Sequence, residues 1–186
     1  MSRATYNLAI ILLSWLLMQV VHEAGHVLAG LCVGDRIERV VLHPLTISRT
    51  ELSPGRNLLL TTAAGPVFGS LVPLLLWLLG HACRLPSCAW LRFFAGFCLI
   101  ANGAYLGVAI VEPVGDAELL LLLGTPAWVL FAFGVVTIPA GLMLWHRLSP
   151  EFGWGTKARA ITGREAASVL AVLLLVVALE MAFSPR

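Results

Sequence analysis

Long apolar runs alternate with short polar breaks along the chain, and run length decides what they are. Five runs approach or exceed the ~20 residues that cross a bilayer as a helix. They predict helices over residues 6–33, 58–79, 89–111, 117–145 and 166–183, with the fourth kinked near Pro126 and Pro139. "EPVGD" separates the third from the fourth, because Pro113 and Gly115 are both poor helix-interior residues. Between the first two runs lies "GDRIERVVLHPLTISRTELSPGRN", where Ile37, Val40, Leu42, Leu45 and Ile47 alternate around Pro44. That pattern predicts a short β-hairpin. The expected fold class is an all-α polytopic membrane protein with about five transmembrane helices and a hairpin after the first. Four or six crossings stay open, since the third and fourth runs meet at a break and not at a long loop.

Composition sharpens this picture. Charged residues make up 12% of the chain, about half of what soluble domains carry, and the mean hydropathy is +0.92. No soluble domain of any size is expected within these residues. The net charge of +2 is spread over short loops, which leaves no basic footprint for nucleic acid and makes the lipid bilayer the expected surroundings. The opening "MSRATYNLAIILLSWLL" has the look of a secretory signal, but its apolar run continues to Cys32 without a small-residue cleavage site. We read it as a retained first helix. The expected organisation is one membrane-embedded domain over 1–186, with a core at about 6–123 and accessory helices at about 117–183.

Inside the first run sits "QVVHEAGHVLAG". His22 and His26 are four apart, so a helix projects both imidazoles from one face. This is the H-E-x-x-H arrangement, with two nitrogen ligands for Zn2+ and Glu23 beside them as general base for an attacking water. The bland alternative is a structural hydrogen-bond network between helices. Ionisable groups at membrane depth are rare, however, and their default reading is functional.

Zinc needs a third protein ligand. The parity of the crossings returns the third helix to the side where the first ends, which brings "EPVGD" to the same face as the histidines. Asp116 is therefore the favoured ligand, against the simpler role of an acidic residue at a helix N-terminus. Glu180 is its rival, although a carboxylate six residues from the C-terminus is expected to snorkel to the membrane surface. Glu112 and Glu118 flank Asp116 and stay open as donors. Asp35, just past the first helix, is expected to be solvated.

Together "HEAGH" in the first helix, "AAGPVFGS" in the second and an aspartate after a proline break resemble the site-2 protease family of intramembrane zinc metallopeptidases. The resemblance covers roughly residues 8–123. It implies His22, His26 and Asp116 as zinc ligands, Glu23 as the catalytic glutamate, and a hairpin that helps present an extended substrate. Gly65 and Pro66 would let the second helix approach closely or distort beside the site, with ordinary small-residue packing as the alternative. The family usually has Asp-Gly where this chain has "GDA". Relatives commonly carry an Asn about eight residues before the aspartate, where Val108 stands here and Asn102 lies further away; the resemblance offers Asn102, with Gly65 and Pro66, as candidate substrate-binding residues. The implied activity is zinc-dependent endoproteolysis in or near transmembrane segments of membrane-protein substrates, in a bacterial cytoplasmic membrane. Two alternatives stand beside it: a membrane zinc metalloprotease of another lineage with a glutamate third ligand, and a non-catalytic membrane scaffold keeping the fold.

Lys and Arg divide nearly evenly between the two faces, slightly favouring the face opposite the histidines as cytoplasmic. The resemblance implies the reverse, and we follow it. Cys83 and Cys88 bracket one loop and are equally readable as a disulfide or as two free thiols.

Overall fold

The computed structural model describes residues 3–184. Helix α1 (Arg3–Val33) leads into a hairpin of β1 (Arg36–Val41) and β2 (Arg49–Ser53). There follow α2 (Leu58–Ala82), α3 (Cys88–Gly107) with a 3₁₀ turn at Val108–Ile110, α4 (Gly115–Leu122), α5 (Ala127–Trp145), a second 3₁₀ turn at Ser149–Phe152, and α6 (Gly163–Phe183). Five of these helices are long and apolar enough to cross a membrane: α1, α2, α3 with its 3₁₀ turn, α5 and α6. This is a multi-pass integral membrane protein.

The predicted fourth helix is two helices. Leu123–Pro126 interrupts it, with Gly124 in the left-handed region at φ 89° and Pro126 capping α5. Proline disfavours helical backbone at the residue before it, so the chain breaks where a kink was expected. At eight residues, or about 12 Å, α4 is too short to span. Pro139, by contrast, is accommodated inside α5.

Helix α1 ends before Gly34, whose φ of 81° turns the chain out of the helix and into the hairpin. The next residue corrects an expectation. Asp35 is buried and accepts the backbone N–H of Arg56 at 3.0 and 3.2 Å, closing the base of the hairpin. The strands pair antiparallel with Val40 opposite Thr50, and with an irregularity between Ile37 and Arg39. Leu45 and Ile47 lie outside the ladder in the connecting turn, 83% and 87% exposed, because Pro44 beside them has no N–H to donate. Cys83 and Cys88 are free thiols.

Burial separates an inner layer from an outer one. The spans of α1, α2 and α3 bury 39–50% of their residues, those of α5 and α6 only 22%. Lipid is as apolar as leucine, so helices here associate through close packing of small residues. Where α3 crosses α5, a Cβ on Gly134 would lie 2.7 Å from the Gly103 carbonyl oxygen, and one on Gly141 would lie 2.7 Å from that of Gly96. The two backbones touch. Helix α6 packs along the first half of α1, with Ala166, Val169 and Leu173 against a cluster that includes Tyr6, Ile10 and Leu13.

Overpacking of this kind typically destabilises by about 1–3 kcal/mol. Gly141→Val should therefore lower the thermal unfolding temperature in detergent, whereas Val136→Ala on the outer face of α5 should leave it unchanged.

Candidate metal centre

His22, Glu23 and His26 are all buried, and their ligand atoms lie within 4.8 Å of one another. Helix α1 continues for eleven residues beyond His22 to Val33, about 16 Å. The cluster is thus well below the end of the helix.

Each imidazole is held from behind. The Nδ1 of His22 lies 2.8 Å from Asn102 Oδ1 on α3, and that of His26 lies 2.7 Å from the Thr61 carbonyl oxygen on α2. The Asn102 amide is itself oriented, since its Nδ2 donates to the Cys98 carbonyl at 2.9 Å. Both partners are therefore acceptors, which assigns the ring proton to Nδ1 and leaves each Nε2 with a lone pair. Those lone pairs converge on a third acceptor. Asp116 Oδ2 lies 2.8 Å from His22 Nε2 and 3.3 Å from His26 Nε2.

Three acceptors at such distances repel unless a positive centre sits among them. A proton on one ring would serve, and so would a metal ion. A tetrahedral ion with bonds of about 2.0–2.1 Å sets its ligand atoms about 3.3 Å apart, close to the spacing found here. The outer hydrogen bonds also match what metal-bound histidines need: an acceptor on the far nitrogen that fixes tautomer and ring plane. The donor set of two neutral imidazoles and a carboxylate fits Zn2+.

Glycines make the room. A Cβ on Gly25 would lie 2.5 Å from the Ala64 carbonyl oxygen, so α1 and α2 meet backbone to backbone beside the cluster. A Cβ on Gly65 would lie 2.7 Å from His22 Nε2 and nearer still to His26 Nε2, inside the space the lone pairs face. Pro66 follows, fully buried, and lacks the N–H that would bond the Thr62 carbonyl. A Cβ on Gly69 would lie 2.8 Å from Asn102 Nδ2, so this glycine leaves room for the Asn102 side chain of α3 against the α2 backbone.

Asp116 reaches the cluster because the chain turns sharply before it. Gly115 has φ 56°, and the Asp116 N–H donates to the Tyr105 hydroxyl at 2.7 Å. The Asp116 side chain is 21% exposed against 11% and 9% for the two imidazoles, so the cluster opens on the aspartate side. Glu23 is 3% exposed, and its Oε2 accepts from the Thr50 hydroxyl on β2 at 2.7 Å.

The other acids stand apart. Glu112 and Glu118 are exposed. Glu180 is outside the His22–Glu23–His26 group and does not snorkel; it is buried in α6, with Oε2 lacking a hydrogen-bond partner. Asn102, expected to hold substrate, has its amide engaged within the protein, between His22 and Cys98. Sequence reading missed Thr50, Thr61 and Tyr105. Tyr105 carried a signal, as a phenol in an apolar helix one break before Asp116, whereas Thr61 acts through its backbone and carried none.

Comparison with known proteins agrees with this architecture. No curated protein and no solved structure gives a significant match. A family model described as Peptidase M50B-like matches residues 4–146, which include α1, the hairpin, α2 to α5 and every residue of the cluster. On that match over more than half its length, the chain belongs to the Peptidase M50B-like family, membrane metallopeptidases of the site-2 protease kind.

Proposed function

We propose that this protein is a zinc-dependent intramembrane endopeptidase that cleaves peptide bonds in or near transmembrane segments of other membrane proteins. The observation that carries the reading is the convergence of His22 Nε2, His26 Nε2 and Asp116 Oδ2, with the Glu23 carboxylate beside them. His22, His26 and Asp116 would hold the ion. Bound zinc supplies Lewis-acid polarisation of the scissile carbonyl and makes water more acidic.

The chain's own groups supply the remainder. Glu23 removes the proton from water as it attacks the carbonyl carbon, then delivers it to the departing amide nitrogen. Asn102 and the Thr61 carbonyl keep the imidazoles in the tautomer that leaves Nε2 available. A peptide bond within a helix is shielded by its own hydrogen bonds and must unwind before attack. The β1–β2 hairpin, joined to Glu23 through Thr50, offers strand edge that an unwound segment can pair with. Water enters on the more exposed Asp116 side.

Three substitutions test the roles, each with zinc content and cleavage of a model transmembrane substrate as readouts. Glu23→Gln should keep its zinc and lose cleavage by about 10²–10⁴-fold. Full cleavage in that variant would exclude this chemistry. Gly65→Val should lower zinc content by placing carbon among the facing nitrogens, in a chain that still folds by circular dichroism. Asn102→Ala should weaken zinc binding about 10–100-fold, as loss of an outer partner does. A change confined to KM would instead return Asn102 to substrate holding.

A further inference from the structure

A buried carboxylate needs a hydrogen-bond donor, and Glu23 takes one from an element outside the helix bundle. The Thr50 hydroxyl has one proton to give, and it lies 2.7 Å from Glu23 Oε2. Threonine is β-branched and stiff about χ1, so the strand backbone sets the direction of that hydroxyl. The backbone in turn is pinned. Leu52 packs over Gly30 of α1, where a Cβ would lie 2.9 Å from its Cδ2. Asp35 closes the hairpin base through Arg56, and the Leu42 N–H donates to Ser184 Oγ at 2.7 Å beyond the other end of β1. Thr50 itself is paired opposite Val40.

We propose that Thr50 is the positioning residue for the general base: its hydroxyl holds Glu23 Oε2, leaving the second carboxylate oxygen aimed to receive the proton of the attacking water. The hairpin thereby becomes part of the proton-transfer machinery. This rests on the reading of Glu23 given above. Misplacing a reacting group by about 1 Å can cost about 100-fold in rate, which sets the scale of the effect.

The test uses the full chain in detergent with a model transmembrane substrate. Thr50→Val keeps the branched shape and removes the donor; Thr50→Ser keeps the donor. Thr50→Val should lower kcat about 10- to 100-fold with KM and zinc content unchanged, and Thr50→Ser should recover most of the rate. Full kcat in Thr50→Val, a loss carried by KM, or a Thr50→Ser as slow as Thr50→Val would each overturn the proposal. A second measurement needs no turnover. Thr50→Val should lower the melting temperature in the wild-type background and leave it unchanged in Glu23→Ala; equal shifts in both would show that the hydroxyl does not hold the carboxylate. A wild-type chain that fails to cleave, or a Glu23→Gln chain that cleaves at full rate, sinks the peptidase reading, and the melting cycle decides the Thr50 contact in either event.

Discussion

Mutual repulsion among hydrogen-bond acceptors governs this molecule. Two imidazole nitrogens and a carboxylate oxygen are brought within 2.8–3.3 Å by side chains from α1 and α4, while the ring protons that could have relieved them face away towards Asn102 and Thr61. In a low-dielectric interior such a cluster is unfavourable without a cation. Three helices and a sharp turn are nonetheless arranged to create it. The outer hydrogen bonds and the glycines at 25, 65 and 69 are best understood as the means of enforcing that arrangement.

The fold serves this end by making backbones touch. Lipid gives helices little hydrophobic reason to associate, so backbone contact at Gly25, and the room that Gly65 and Gly69 leave for the His22, His26 and Asn102 side chains, supply both dispersion contact and geometric control. The same device recurs where α3 meets α5, away from the cluster. Helices α5 and α6 are mostly lipid-facing and buttress an inner layer of α1, α2 and α3.

Much of this was legible in the residues. Histidine and glutamate inside an apolar run stand out because membrane helices exclude them, and the period of the helix puts His22 and His26 on one face. Counting crossings brought "EPVGD" to the level of the histidines, and Asp116 is found against both rings. Other features were hidden for physical reasons. Pro126 signalled a disturbance, but whether a proline kinks or breaks a helix depends on its neighbours, and Gly124 tipped it to a break. Asp35 looked solvated because its partner is a backbone N–H twenty-one residues away. Asn102 is identifiable as a polar residue in a membrane helix, yet only coordinates show which of its neighbours the amide faces. The link between Thr50 and Glu23 joins a strand to a helix and leaves no periodic trace.

The anchor behind His26 is a main-chain oxygen. Replacing Thr61 with alanine leaves that oxygen in place, so a conventional alanine scan is blind to half of what orients the histidine pair. Insertions or deletions in α2 would be felt at once, because each shifts the oxygen around the helix. What sets the second imidazole's orientation is therefore the length of the segment between the hairpin and Gly65, more than the chemistry of the side chain at 61.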